Sequence, residues 1–150
     1  MIVAAVLLGY ALLVPLAAIA QSRGEAVIVN SGSTNTAGFR IVIGENGDAQ
    51  YTVMPRRFGP PAQSEPVRRK LPEALAQRFF SHLDSAKPLA NLPHERCAKS
   101  ASFGTSLTIE FGGERTPDLS CPDPQDPHIQ TLMRDAEEIT KIFQTSTSRP

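Results

Sequence analysis

Two cysteines, Cys97 and Cys121, are the residues of this 150-residue chain that most directly suggest chemistry. Two thiols in an oxidising compartment pair, and a bridge that closes a loop of about 25 residues stabilises a domain by roughly 3 kcal/mol. Together with His94 and His128, the same sulfurs form a set of zinc-ligand types. Their spacing, H-x-x-C and then C-x6-H, matches no established zinc motif. The sequence therefore predicts a disulfide, with a metal-binding periplasmic protein as an alternative.

A second group of reactive types lies close to the first cysteine. Lys99 is adjacent to Ser100 and three residues before Ser102, which reverses the S-x-x-K order of serine–lysine enzymes. Acyl transfer would require a desolvated amine within hydrogen-bond reach of the hydroxyl. A small serine-dependent hydrolase that uses Ser102 or Ser100 with Lys99 is therefore a second alternative. Hydroxyls beside turns usually cap them, and we predict no catalytic residue and no cofactor.

Positive charge is concentrated in a proline-rich connection at residues 55–70, which we expect to form no regular ladder or helix. The possible binding residues in it are Arg56, Arg57, Arg68, Arg69 and Lys70. Clustered cations can bind a protein or an anionic component of the cell envelope. The chain as a whole has 15 basic and 15 acidic residues, which argues against a nucleic-acid partner held through phosphates.

The chain begins with an apolar run that ends in Ala18-Ile19-Ala20 before the polar Gln21. This small-x-small pattern is typical of a signal peptidase site, so residues 1–20 are predicted to be a signal peptide cleaved after Ala20. No basic residue precedes the run, and an uncleaved membrane anchor is the alternative; any membrane contact would then be through this leader. The mature protein is predicted to be exported, either periplasmic or secreted, with one domain at residues 21–146 and a disordered tail at residues 147–150.

A short β-branched run at 26–29 indicates a strand buried on both faces. Alternating apolar residues at 39–43, 49–54 and 107–111 indicate further strands, with a short return strand after the last. Asn46-Gly47 between two such runs predicts a hairpin, because both turn residues tolerate positive φ. The alternation leaves an open polar sheet face, to which we assign Arg40, Gln50 and Thr52 as further possible binding residues.

Two amphipathic helices complete the pattern. The first is predicted to begin at Pro72, and His82 is expected on its solvated outer side. The second is predicted to begin at Pro127, with Asp126 as its N-cap. The predicted fold is α+β: a two-layer sandwich in which an antiparallel sheet of about four to five strands carries both helices on one face.

Three stretches support a family resemblance: NSGSTNTAGFRI at residues 30–41, KSASFGTS at 99–106 and TPDLSCP at 116–122. They resemble segments of a family of small, uncharacterised exported bacterial proteins, and the resemblance covers most of the chain after the leader. No activity, ligand or catalytic residue is assigned to that family, so the resemblance implies export alone. By elimination, the predicted function is a non-catalytic extracytoplasmic binding module stabilised by one disulfide.

Overall fold

The structure of the chain is a computed structural model that describes residues 24–56, 64–94, 97–121 and 126–144. The predicted leader with its cleavage point, Arg57 and the tail at residues 147–150 lie outside the described residues. The described part consists of a six-stranded antiparallel sheet and two α-helices. The α+β class is confirmed, and the sheet has more strands than the four to five expected.

The first strand of the chain lies inside the sheet rather than at its edge. The strands, in the order β4-β3-β2-β1-β5-β6, pair antiparallel throughout. Strand β1 therefore pairs with β2 on one side and with the later β5 on the other. The bounds are β1 Glu25–Asn30, β2 Gly38–Gly44, β3 Asp48–Met54, β4 Val67–Lys70, β5 Leu107–Phe111 and β6 Glu114–Arg115.

The hairpin between β2 and β3 is confirmed at the predicted turn. Gly47 has a φ of 85°, and its N–H donates to the Gly44 carbonyl at 2.8 Å. The Asn46 side-chain oxygen accepts the Asp48 N–H at 2.9 Å. An Asn-Gly pair suits this turn because glycine adopts positive φ without a steric penalty and the asparagine oxygen accepts a nearby backbone N–H.

Strand β4 corrects the expectation that the whole segment at residues 55–70 lacks a regular ladder. Val67 to Lys70 pair with Tyr51 to Asp48 of β3. All four residues of β4 follow the last proline of the segment and retain their N–H groups, so the ladder can form. Because β4 is an exposed edge strand, no apolar alternation reveals it in the sequence.

Both helices pack on the same face of the sheet. Helix α1, Glu73–Ser85, brings Phe80 edge-on to Phe111 of β5 at 5.6 Å between ring centroids. Helix α2, Pro127–Gln144, stacks Phe143 on Tyr51 of β3 at 5.4 Å. A short 3₁₀ turn, Leu89–Asn91, follows α1. Neither helix of the described ranges is long and apolar enough to span a bilayer.

The start of α2 agrees with its predicted cap. The Asp126 carboxylate accepts the Ile129 N–H at 2.9 Å, and the helix begins at Pro127. A carboxylate at this position accepts a hydrogen bond from an N–H group of the first turn, which has no carbonyl partner within the helix. The predicted apolar stripes of both helices form one core with the sheet; its largest fully buried apolar members are Phe79, Ile28, Ile41, Ile43, Leu83, Leu89, Ile109, Leu119, Ile129, Leu132 and Ile139.

Candidate functional site

The open sheet face, opposite the helices, gathers many of the predicted binding residues. Side chains alternate across a sheet, and the core-facing positions of β2 and β3 include Ile41 and Tyr51. The pairs Arg40–Thr52 and Gln50–Arg68 therefore point away from the helices. Lys70, two residues after Arg68, lies on the same face. The register thus brings together five predicted positions that are spread over thirty residues of sequence: Arg40, Gln50, Thr52, Arg68 and Lys70.

The remaining predicted cations do not join this face. Arg69 pairs with the core-facing Ala49, so its side chain lies on the helix side of the edge strand. Arg56 is exposed beyond the end of β3, and Arg57 falls outside the described residues. The basic connection predicted as one patch is therefore divided, because strand alternation sends neighbouring side chains to opposite faces.

One row of side chains crosses the open face from edge to edge. In sheet order it reads Arg68, Gln50, Val42, Val27, Glu110 and Arg115. Its apolar middle is bounded on one side by a hydrogen bond from Arg68 Nε to Gln50 Oε1 at 3.1 Å. On the other side Arg115 and Glu110 form an ion pair. The face therefore combines a basic side, an apolar centre and a neutralised far edge.

A shallow groove of about 800 Å³ runs along the basic side of this face, and Val42, Gln50, Arg68 and Lys70 are among the residues that line it. Lys70 Nζ lies 3.0 Å from Asp48 Oδ1. The hydrogen bonds from Lys70 and from the Asn46 amide lower the pKa of the Asp48 carboxyl. The charge of Lys70 is thus neutralised locally, which leaves the guanidinium groups as the cations available to a ligand.

The two cysteines form the predicted disulfide, with Cα atoms 5.5 Å apart, which is in the usual range. Neither sulfur is then a thiolate that can ligate a metal. His94 and His128 are both exposed. Among the described residues no group of three or more His, Cys, Asp or Glu side chains could hold a metal ion. The zinc set proposed from the sequence is not assembled because the bridge consumes half of its ligands.

Lys99 contacts oxygens other than those predicted from the sequence. Its Nζ donates to the Thr105 carbonyl at 2.6 Å and to Ser120 Oγ at 2.5 Å, and it forms an ion pair with Asp118. An ammonium has three N–H donors, and all three have an acceptor here. Among the described residues, the hydroxyl that Lys99 contacts belongs to Ser120 and not to Ser100 or Ser102.

The two serines of the hydrolase alternative make hydrogen bonds that do not involve Lys99. Ser100 Oγ accepts the Ser102 N–H at 3.3 Å, and the Ser102 carbonyl accepts the Ser33 hydroxyl at 2.7 Å. The structure brings neither serine hydroxyl to Lys99. Of the two roles that the sequence suggests for Asp118, capping a turn or pairing with Arg115, the structure shows the first, because its Oδ1 accepts the Ser120 N–H. Its ion pair is with Lys99, and Arg115 pairs with Glu110.

Asp118 is the centre of this cluster beside the disulfide. Its Oδ1 accepts the N–H groups of Leu107 and Ser120, each at 3.0 Å. Burial raises the pKa of Asp118, but the hydrogen bonds from Lys99, Ser120 and the Leu107 N–H outweigh that effect and hold the pKa below its ordinary 3.8. The carboxylate thus fastens the start of β5 to the segment that precedes Cys121.

The substitution Asp118→Asn tests this role through its pH dependence. Because the folded-state pKa is lowered, the carboxylate stabilises the fold at pH values above 3.8, and this contribution is lost as the pH falls through the lowered value. We expect the variant to lose about 1 kcal/mol of unfolding free energy at pH 6. In urea titrations the difference from wild type should narrow as the pH falls below 3.8.

The matched control is Asp48→Asn, which removes a carboxylate that also has a lowered pKa but is exposed at the end of the sheet. Exposed ion pairs contribute little, so its loss should be smaller at every pH. The role of Asp118 would be contradicted if the two substitutions lost equal unfolding free energy, or if the difference between Asp118→Asn and wild type grew as the pH fell.

A cluster between the two helices was missed at the level of sequence. Asp135 of α2 is 1% exposed; its Oδ2 lies 2.6 Å from His82 Nδ1, and its Oδ1 accepts Arg78 Nε at 3.1 Å. Arg78 Nη2 also donates to Glu138 at 2.5 Å. The expectation that His82 is solvated is wrong, because the helix packing half-buries its ring against this carboxylate.

This arrangement resembles the carboxylate–imidazole half of an acid–base site, in which the acid orients the ring. Within the described residues, however, no hydroxyl or thiol is hydrogen-bonded to His82, so a nucleophile is not in place. A sequence signal did exist: Arg78 and His82 lie one turn apart beside the apolar stripe of α1, as Asp135 and Glu138 do on α2. These contacts join α1 to α2, and we call the four residues Arg78, His82, Asp135 and Glu138 the interhelical clasp.

A third cluster joins the two hydroxyl-rich segments, which lie far apart in the sequence. The N–H groups of Thr34 and Asn35 donate to the carbonyls of Ala101 and Ser102, at 3.4 and 3.0 Å respectively. At the end of β1, the Ser31 N–H donates to the Ser106 carbonyl at 2.9 Å. We call residues 31–37 and 100–106 together the loop edge. Two of the segments that carry the family resemblance are therefore neighbours in space.

Glycines allow the chain to pass this closely at the loop edge. At Gly32, whose φ is +63°, a Cβ would lie 2.5 Å from the Gly38 nitrogen, and at Gly104 it would lie 2.5 Å from the Ser100 carbonyl oxygen. Both contacts are with backbone, which cannot rotate away as a side chain can. The absence of a side chain at these positions is thus a requirement of the tight turn within each of the two loops.

No protein-family model matches the chain. No curated protein sequence matches it either. The candidate function therefore follows from the geometry of these surfaces.

Proposed function

We propose that this chain is an exported, non-catalytic binding module that holds an anionic partner from the cell envelope on its open sheet face. Export is supported by the apolar leader that ends in Ala18-Ile19-Ala20 and by the disulfide, since disulfides persist in oxidising compartments. The bridge stabilises a small core, and the sheet presents the partner surface.

One observation carries the choice of surface: Arg40 projects from the middle of the open face without a protein partner. Within the described residues its side chain makes no hydrogen bond or ion pair. An arginine has five N–H donors in a planar fork that fits a phosphate or carboxylate in a bidentate manner. A guanidinium held on a regular strand and left unpaired is suited to an anionic group from outside the chain.

A second guanidinium lies near enough to act with the first. Arg68 is two strands away from Arg40, about 10 Å across the sheet, and its hydrogen bond to Gln50 uses Nε alone. Its two terminal nitrogens make no hydrogen bond with the described residues, and the residue is exposed. Two arginines at this separation can contact neighbouring phosphates of one polymer or of one membrane surface.

The charge of the groove indicates which end binds the anion. Glu25 and Glu45 line the end near the β2–β3 turn, where an anion would be repelled. Beyond the groove, the end of the open face distant from that turn carries Arg40 and Thr52 as a cross-strand pair. We therefore place the anionic group at the end of the face distant from the turn.

The apolar centre favours a partner that is more than a free anion. Val27, Val29 and Val42 occupy adjacent strands between the arginines and the Glu110–Arg115 pair. Val27 is already buried, at 8% exposure. The partly exposed Val29 and Val42 can bury acyl or other aliphatic groups next to a bound phosphate. An amphipathic anionic envelope component matches both features.

A charge-reversal experiment tests the proposal. We expect Arg40→Glu together with Arg68→Glu to weaken binding to phosphatidylglycerol vesicles by about tenfold or more, because two charge-assisted contacts are lost. Co-sedimentation at low and high salt measures the affinity. A parallel titration with polyphosphate distinguishes a lipid surface from phosphate in general.

Arg68→Glu alone is compared with its matched control Arg69→Glu, which makes the same change of charge on the same strand but on the other face. Its affinity should stay within about threefold of wild type. Vesicle and polyphosphate binding that is absent from the wild type, or that Arg69→Glu weakens as much as Arg68→Glu does, would refute the assignment of the open face.

A further inference from the structure

Phe103, at the tip of the loop edge, is the most exposed large apolar side chain of the described residues, at 69% exposure. The other exposed member of that class is Val67, on the edge strand β4. An isolated exposed apolar residue is common and by itself indicates nothing. Phe103 differs through the rigidity of its support and the chemistry of its neighbours.

The support is a loop fixed at both sides of the ring. After it, the Gly104 N–H donates to the Ser100 carbonyl at 2.7 Å, and a Cβ at Gly104 would lie 2.6 Å from Lys99 Cβ. Before it, the Ser102 carbonyl accepts both the Ser33 hydroxyl and the Asn35 N–H. The backbone that carries the ring is thus held in place before any ligand arrives, which reduces the entropy lost on binding.

The loop edge that carries Phe103 also carries polar side chains that have no hydrogen-bond partner among the described residues. Among the described residues, the side chains of Asn35, Thr36 and Ser102 make no hydrogen bond, although the backbone of Asn35 is bonded directly to Ser102. Together they offer an amide and two hydroxyls, which both donate and accept hydrogen bonds.

The loop edge also lacks charge. Residues 31–37 and 100–106 contain no ionisable side chain, and the adjacent Lys99 is neutralised by Asp118. A charged partner would find no counter-charge on these loops, and a lipid surface would find none of the basic residues that accompany interfacial anchoring. A neutral partner rich in hydroxyl groups matches both the ring and its surroundings.

We propose that the loop edge binds a neutral glycan, with Phe103 stacked on the apolar face of a sugar ring. Asn35, Thr36 and Ser102 exchange hydrogen bonds with the sugar hydroxyls. The electron-rich face of an aromatic ring attracts the partly positive C–H groups of a pyranose, while precisely placed polar groups determine its orientation. This site is separate from the open sheet face and does not depend on Arg40 or Arg68.

Native gels that contain dextran, amylose or hydroxyethyl cellulose test the proposal on the full chain with its disulfide intact. At least one of these neutral polysaccharides should retard the wild-type protein. Phe103→Ala should reduce the affinity by about tenfold, a size consistent with the loss of one buried aromatic anchor. Phe103→Trp should retain the retardation, because it keeps an aromatic face.

The matched control is Val67→Ala, which truncates the other exposed apolar side chain and should leave the retardation unchanged. The urea midpoints of wild type and Phe103→Ala should agree, since the ring makes no core contact. The proposal is overturned if none of the three polysaccharides retards the protein, if Phe103→Ala is retarded like the wild type, or if Phe103 is needed for binding phosphatidylcholine vesicles instead of glycans.

Discussion

Replacing Cys97 and Cys121 with alanine is expected to lower the free energy of unfolding by about 3 kcal/mol. The bridge links residues 24 apart in sequence, and closing a loop of that length removes much of the freedom of the unfolded chain. The loop contains the β5–β6 hairpin and the whole Lys99–Asp118 cluster. The free energy of unfolding of a native domain is about 5–15 kcal/mol, so this loss is a large share of the total.

Urea unfolding of the wild type with and without a thiol reductant measures the effect directly. The reduced wild type should match the double alanine variant, and the reductant should leave the variant unchanged. Unfolding midpoints that coincide for oxidised and reduced wild type would show that the bridge contributes nothing to stability.

The second large effect is expected at Asp135, where Asp135→Ala should cost about 3 kcal/mol of unfolding free energy. This carboxylate is buried between α1 and α2 and accepts hydrogen bonds from Arg78 and His82. Its removal leaves two donors at the helix interface without their acceptor. Asp135→Asn, which keeps an acceptor oxygen but no charge, should cost less, about 2 kcal/mol.

Glu138→Ala is the matched control for this cluster. Glu138 also pairs with Arg78, but it lies at the exposed end of the interhelical clasp, where solvent weakens the interaction. Its substitution should cause a much smaller loss than either change at Asp135. If Glu138→Ala and Asp135→Ala lose similar free energies of unfolding, measured by heat or by urea, burial does not make Asp135 the more important of the two carboxylates.

The strands and helices with strong patterns were predictable because their signals are local. Alternating apolar residues identified β2, β3 and β5, and Asn46-Gly47 identified the turn between the first two. The spacing of apolar residues identified both helices, and Asp126 before Pro127 located the start of α2. In each case the few residues that form the element also contain the information.

Strand β4 escaped prediction for a physical reason. An edge strand with all four residues exposed needs no alternation of apolar and polar side chains, and its three basic residues read as a charged loop. The partner that makes it a strand, β3, lies outside the segment. Because these residues form a strand, the Arg69 side chain lies on the opposite face from those of Arg68 and Lys70. The composition of the basic segment therefore could not predict which of its cations share a surface.

The sequence by itself determined the two layers, the turn, the helix starts and the pairing of the two cysteines, because short-range periodicity, turn chemistry and cysteine count suffice for these. Tertiary structure alone decided that Lys99 meets Asp118 and Ser120, that His82 meets Asp135 and that two distant loops form one edge. These contacts join residues 19 to 75 positions apart, and such pairs become neighbours only when the sheet register and the helix packing are complete.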